Sequence, residues 1–352
     1  MQNNTKYFIG IDVSKAFFDA ALMAVINHQK QAIESAHFEN TELGLKAFQK
    51  WLKIYKVSFD ENTVLVIENT GIYHRLLWAF CNRINLQIHI GNAAHIKWIF
   101  GIARGKNDKI DAIRLCKYAC KESDELIMSK PLNPKLMQLK DLQTSRVRLL
   151  SQKNANQSYL KELKSINDKA TQKVLEQAYK TAIEGLEKSI KSVEKLIKKL
   201  ISDQDSLQKS YDLLLSIPGI GNITAIYLIV CTNNFAGNIS GKQLASYAGV
   251  APFGNSSGTS IKKPEKVHKM ANKESAGDPV KKILHMGAMS VIHCNPEMKH
   301  YYSRKMSEGK HALSIINAVK NKLVLRAVAV IKSQTPYVDN FVKSEQILKN
   351  AA

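Results

Sequence analysis

The chain is poor in cysteine: its 352 residues include five, Cys81, Cys116, Cys120, Cys231 and Cys294. They are odd in number and scattered, without a Cys-x-x-Cys pair, which excludes a disulfide framework and fits a reducing cytoplasm. Cys116 and Cys120 stand four apart on a predicted helix and read as small buried side chains before a zinc half-site. No run of eighteen apolar residues occurs, so a membrane-spanning helix is excluded. The N-terminus passes directly into a strand pattern, without the charged, apolar and small-residue order of a signal peptide. No internal repeat is present, and the histidines, His74, His89 and His95 among them, form no pair with ligand spacing. Acid is also scarce: 30 Asp+Glu face 51 Lys+Arg, a net charge of +21. Such an excess calls for a polyanionic partner, and with no membrane signal that partner is nucleic acid.

The length suggests about two domains, and the patterning divides the chain into three regions. Residues 1–130 alternate strands and helices. Tyr7 to Ile11 is an apolar run that reads as a buried strand, and Phe17 to Met23 returns beside it as a hairpin. Phe38-Glu39-Asn40 adds a short third strand, and Thr41 caps a helix with apolar Leu45, Phe48, Trp51 and Leu52. Thr63 to Ile67 is another buried strand, Gly71 breaks the chain, Tyr73 to Arg83 is helical, and Leu86 to Ile90 is one more strand. This order predicts an α/β domain with helices packed on a mixed sheet.

Residues 131–210 follow Pro131 and Pro134 and are charged and helical. The apolar seam Leu186, Ile190, Val193, Leu196, Ile197, Leu200 suits a helical hairpin or an oligomerising coiled coil, the latter favoured. Gly185 and Asn167-Asp168 mark possible interruptions. Residues 211–352 form a mainly α-helical third region. Its entrance, Ser216-Ile217-Pro218-Gly219-Ile220-Gly221, places a Gly-x-Gly turn between helices. The backbone N–H groups exposed by Gly219 and Gly221 can accept a phosphate, as in helix-hairpin-helix modules, although a tight turn needs the same glycines on steric grounds. Gly249 to Ser260 reads as a small-residue loop leading into Lys262, Lys263, Lys266, Lys269 and Lys273, a phosphate-contacting stretch.

Four acids carry the chemistry. Asp12 ends the first strand and Glu68 closes the Thr63 strand. Asp108 and Asp111, three apart in Lys106-Asn107-Asp108-Lys109-Ile110-Asp111-Ala112, share one helix face. A lone Asp at a strand end is usually a turn or cap residue. Four in this order can converge on hard cations such as Mg²⁺, and paired metals of that kind hold the oxygens of a phosphoryl transfer.

Gly10-Ile11-Asp12-Val13-Ser14-Lys15 resembles the first motif of a family of bacterial insertion-sequence transposases related to the Piv DNA invertases. Glu68-Asn69-Thr70-Gly71-Ile72-Tyr73 is similar to the second, with Asn69 where Ala is usual. The Lys106 to Ala112 segment resembles the third, with Asn107 where Thr is common. The Ser216 to Gly221 turn and Gly249-Val250-Ala251-Pro252 with Ser257-Gly258 resemble the family's C-terminal motifs. Lys281-Lys282 stands where the family often has arginine. The likeness runs from about residue 7 to residue 332.

The resemblance implies a RuvC-like (RNase H-like) nuclease domain with Asp12, Glu68, Asp108 and Asp111 as a tetrad for Mg²⁺, or Mn²⁺ in its place. It implies Ser257 as a nucleophile forming a phosphoserine with DNA, with Ser256 the adjacent alternative. Lys106 joins the nucleic-acid contacts. The implied partners are donor and target DNA, a structured bridge RNA that pairs with both, and further copies of the chain in a dimer or tetramer. The implied location is the cytoplasm, at the nucleoid. A Piv-type site-specific invertase would use similar chemistry. A hydrolytic nuclease of the Holliday-junction-resolvase kind would need the tetrad and not the serine, and a non-catalytic scaffold would need neither.

Overall fold

The computed structural model describes residues 5–69, 71–100, 107–130, 133–166, 168–257, 261–267 and 278–339. They form two compact units, 1–133 and 134–352. The first unit is built on a sheet: β1 (Thr5–Val13), β2 (Phe17–Ile26), β3 (Gln29–Lys30), β4 (Glu34–Glu39), β5 (Thr63–Glu68) and β6 (Gln87–Gly91). The spatial order is β3-β2-β1-β5-β6, with β4 also paired to β2. β1, β2 and β4 run antiparallel, whereas β1, β5 and β6 are parallel. The sheet is therefore mixed, as expected.

Strand alternation sends successive side chains to opposite faces, and each face has its own core. Ile9, Ile11, Phe18, Leu65 and Ile67 pack under helices α1 (Glu42–Ile54) and α2 (Arg75–Arg83), through Leu45, Phe48, Leu77 and Phe80. Thr41 caps α1 as predicted, accepting from the Gly44 N–H at 3.1 Å. The opposite face carries Phe8, Ala21, Val64 and Val66. It is covered by α3 (Ala93–Phe100), which the sequence pattern did not reveal, and by α4 (Asp108–Lys121).

The placement of α4 depends on one residue. A Cβ on Gly10 would fall inside the backbone of Ala112, Leu115 and Cys116, so only glycine lets the helix lie directly on the central strand. The Cys116 thiol, pushed up to about 12 by burial, donates to the Phe8 carbonyl at 3.2 Å across this contact.

The second unit opens with α5 (Pro134–Leu163) and α6 (Lys169–Ser202), which pack on each other. Arg146–Glu194 at 2.7 Å and Lys153–Glu187 at 3.1 Å set them antiparallel. The chain thus adopts the hairpin option for this region. Ile190, Ile197 and Leu200 of the seam are buried, while Leu196 stays half-exposed. Gly185 interrupts nothing, since α6 runs through it. The break lies before Asp168, whose side chain caps α6 by accepting from the Ala170 and Thr171 N–H groups. Asn167 lies outside the described residues.

Next come α7 (Asp205–Leu215), α8 (Asn222–Cys231), α9 (Gly241–Tyr247), the β7–β8 ribbon (Pro252–Ser257, Ile261–Val267), α10 (Asp278–Cys294), α11 (Pro296–Ser307) and α12 (Ala312–Ser333). One core joins Leu136 and Leu139 of α5 and Ile197 of α6 to Leu213, Leu228, Leu284, Leu323 and Val324. The base of the arm is thereby packed into the C-terminal helices. The helical reading of this region needs one correction. Residues 252–257 are no loop but a strand paired antiparallel with 261–267. The polar run of Asn255 and Ser256 hid a strand whose hydrogen bonds go to the backbone of the lysine segment. Among the described residues, no helix is long and apolar enough to cross a membrane.

Candidate active site

Asp12 lies on the α4 side of the sheet, two residues beyond Gly10 on β1. Its register partner on β2 is Asp19, and the partner of Asp19 on β4 is His37. β5 runs parallel on the other side of β1, and the alternation places Glu68 on the same face as Val64 and Val66. A row thus crosses four strands: His37, Asp19, Asp12, Glu68. Asn107 starts α4 by accepting from the Lys109 N–H at 3.0 Å, so Asp108 and Asp111 fall in the first turn. Asn caps a helix as Thr does, and the departure at this position leaves the helix start intact.

The acids feel one another. Asp12 is half-buried, and its carboxyl is pushed up from 3.8 to about 6, first by burial and then by the charges of Asp108, Asp111, Glu68 and Asp19, in that order. All four acids of the sequence motifs therefore act on one spot. Asp19 is a fifth that the motifs do not contain, held by His37 Nδ1 at 3.1 Å. Asp111 is engaged by the Arg114 guanidinium at 2.7 Å.

The donors are all carboxylate oxygens, the set preferred by Mg²⁺ and Ca²⁺. Yet no three His, Cys, Asp or Glu side chains among the described residues lie close enough to hold an ion together. The two observations agree once range is considered. Charge repulsion acts over more than a coordination distance, so the acids repel across a gap wider than a metal shell. The donor chemistry fits a hard divalent cation, whose charge would offset that repulsion.

The loops around the cluster are tied by Asn40. Its Nδ2 donates to the carbonyls of Ser14 and Tyr73, each at 3.0 Å, linking the turn after Asp12 to the segment after Glu68. Ser14 itself closes the β1–β2 turn, its hydroxyl donating to the Phe17 carbonyl at 2.8 Å. In the sequence Asn40 reads as the end of a strand, Asp19 only as part of the second strand, and nothing singles out Arg114. Strand register exposes the role of Asp19, while Arg114 stands three residues from Asp111 on the same helix.

The C-terminal residues are placed differently. Ser257 ends β7 opposite Ile261, and Ser256 pairs with Lys262. Lys262, Lys263 and Lys266 lie on β8. Lys106, Gly258, Lys269 and Lys273 lie outside the described residues. Gly219 adopts φ +90 and abuts the Gly287 carbonyl, where a Cβ would meet backbone at 2.8 Å. Its glycine is thus required by packing. Gly221 stands exposed at the start of α8, where a Cβ would meet nothing.

A mixed sheet with acids facing one side is thus followed by a helical second unit. Residues 9–166 match the DEDD transposase model of the IS110 group, and residues 211–303 match the transposase model of the IS116/IS110/IS902 family. The chain is 30% identical to the pilin gene-inverting protein of Moraxella bovis and 31% identical to that of Moraxella lacunata. Each match covers 95% of this chain and 98% of the relative. An uncharacterised insertion element IS110 protein of Streptomyces coelicolor is 30% identical over 31% of this chain and 26% of its own length. The chain belongs to the IS110 family of transposases.

Proposed function

We propose that the protein is a DNA recombinase that cuts and rejoins strands through a phosphoserine at Ser257. The observation that carries the reading is the pressure of Asp108, Asp111 and Glu68 on Asp12, three acids from two other motifs acting on a fourth. Asp12, Glu68, Asp108 and Asp111 would hold Mg²⁺, or Mn²⁺ in its place. A bound cation would offset charge on the phosphoryl oxygens and acidify the attacking hydroxyl. In the reaction Ser257 Oγ bonds to phosphorus as one sugar–oxygen–phosphorus bond breaks. The hydroxyl proton passes to solvent and the departing sugar oxygen takes one up. The ester count is unchanged, so a sugar hydroxyl of another strand can reverse the step without ATP.

The partners in this reading are donor and target DNA and a structured guide RNA that pairs with both. The catalytic unit is a dimer or tetramer in which one subunit supplies the serine and another the acids. The α5–α6 arm would serve as its coiled-coil contact. Lys106, Lys262, Lys263, Lys266, Lys269 and Lys273, with the Gly219–Gly221 turn, would contact phosphates at the nucleoid. A second reading, inversion of a fixed DNA segment without a guide, is supported by the likeness to pilin gene-inverting proteins along nearly the whole chain.

The test is denaturing electrophoresis of labelled DNA after reaction with Mg²⁺. A protein-linked band in wild type that disappears in Ser257→Ala supports the phosphoserine. Its persistence there, with loss in Ser256→Ala, would move the nucleophile by one residue. Cleavage with no adduct would leave a hydrolytic nuclease. Sequencing the RNA that co-purifies decides between guided transposition and fixed-site inversion.

A further inference from the structure

Strand exchange delivers a proton to the departing sugar oxygen, and none of the four motif acids suits that step. A carboxylate that holds a cation is deprotonated and can only accept. The sheet places a different group beside them. His37 of β4 stands in register with Asp19 of β2, and Asp19 with Asp12 of β1. Phe18 and Phe38 turn to the core under α1 and α2, so Asp19 and His37 share the opposite face with Asp12. The charge of Asp19 also acts on the Asp12 carboxyl, in keeping with that placement.

The imidazole is held in one orientation and can be reached. Its Nδ1 lies 3.1 and 3.2 Å from the two Asp19 oxygens. A carboxylate only accepts, so Nδ1 carries a proton and Nε2 is the nitrogen left to exchange one near neutral pH. Nε2 has no hydrogen-bond partner among the described residues. The His37 side chain is 56% exposed, against 17% for Asp19. The carboxylate thus serves the ring, and the far edge of the ring is open to a substrate. Phe17 packs on the imidazole with 4.9 Å between centroids and limits its rotation. An exposed Asp–His pair contributes little stability. The same pairing in a catalytic triad orients the imidazole and stabilises its charged form. His89 and His95 are engaged elsewhere, by the Ile127 carbonyl and the Tyr118 hydroxyl.

We propose that His37 is the general acid of strand cleavage, donating from Nε2 to the departing sugar oxygen, with Asp19 as its positioning residue. This role rests on the acid cluster being a phosphoryl-transfer site. As the bond between phosphorus and the sugar oxygen breaks, its electron pair takes the Nε2 proton. A sugar hydroxyl and a neutral imidazole result, while the Ser257 proton goes to solvent. In rejoining, the neutral imidazole takes the proton of the incoming sugar hydroxyl as that oxygen attacks the phosphoserine. The histidine is then charged again, ready for another cleavage. Two strand spacings, ~10 Å at the backbone, separate His37 from Asp12. The contact with Asp19, on the strand between them, brings the ring back across part of that gap.

The test replaces the departing sugar oxygen of the DNA by sulfur, at the cleaved position mapped with unmodified DNA. A thiol ionises at about 8.5, so sulfur departs as a thiolate without needing a proton. The full chain is used with its co-purifying RNA and Mn²⁺. On unmodified DNA, His37→Ala and His37→Gln should each form the protein–DNA adduct at least ~10²-fold more slowly than wild type. On sulfur-bearing DNA both should match wild type. Asp19→Asn should lose less, and sulfur should restore it as well. DNA affinity, and Mn²⁺ binding followed by electron paramagnetic resonance, should be unchanged in His37→Gln, because the substitution removes a proton donor and no binding group. Wild-type rates on unmodified DNA in the His37 variants, or slow rates that sulfur does not restore, would overturn the proposal. Asp12→Asn should stay slow on both DNAs, and its rescue would make the sulfur effect general and overturn the assignment too. Cleavage by wild type without an adduct removes the phosphoserine alone, and the same comparison of cleavage rates then decides His37. A wild type that leaves both DNAs intact overturns both ideas.

Discussion

The two units make the same packing move with different consequences. In the first, Gly10 lets α4 lie on β1; in the second, Gly219 and Gly287 let the α7–α8 turn lie on α10. On the sheet, that contact brings Asp108 and Asp111 to Asp12, so the core and the candidate site are one construction. Among the helices, the contact brings together no functional side chains. Ser257 sits instead on a two-stranded ribbon, set by ladder hydrogen bonds. A charged cluster needs rigid support to hold repelling groups together, and a sheet core supplies it.

That contrast can be broken at several strengths. The largest effect should come from Asp12→Asn, which should reduce adduct formation by ~10³-fold or more, about 4 kcal/mol of barrier. Wild-type adduct levels in that variant would detach the sheet from the chemistry. Gly10→Ala comes next. It should cost about 3 kcal/mol or more of stability, because the obstruction is backbone and cannot rotate away. The exposed Gly221→Ala should cost no more than about 1 kcal/mol. Equal losses in urea unfolding would show that α4 is not held as described.

The same Asp12→Asn change should stabilise the metal-free protein. The carboxyl is raised from 3.8 to about 6, so the folded state holds its proton more tightly than the unfolded state does. Stability from this group is full below pH 4 and falls as pH rises to 6. The full shift would be ~3 kcal/mol, and solvent screening reduces it to about 1–2 kcal/mol. Thermal melting should therefore favour the variant above pH 6 and show no gain below pH 4. A gain that grows on acidification would contradict the charge argument. Mn²⁺ binding, followed by electron paramagnetic resonance, should weaken as pH drops below 6, and a flat profile would place the metal elsewhere. The smallest effect tests the ribbon. Neutralising Lys262, Lys263 and Lys266 together should lower the salt slope of DNA binding by ~0.9 for each lysine that contacts a phosphate. An unchanged slope would move the footprint to the lysine-rich arm.

Much of the first unit was legible because its signals are local. Apolar runs marked β1, β2, β5 and β6, and Thr41 announced its helix by capping chemistry. The α3 helix was missed because Ala93–Phe100 is only eight residues long and follows closely on a strand. Gly185 misled because a glycine costs only ~1 kcal/mol in a helix, which packing of a 34-residue helix easily offsets. The ribbon was hidden by glycine and serine, whose strand preference is weak.

By itself, the sequence determined the order of most elements in the first unit, the basic character of the chain, and the four acids with their motif spacing. These depend on residues near one another along the chain or on composition. Tertiary structure decided what meets what. It set Asp19 opposite Asp12, tied two loops through Asn40, and closed the arm on itself. Strand register and helix approach are long-range outcomes of burying two sheet faces at once, and no local pattern encodes them.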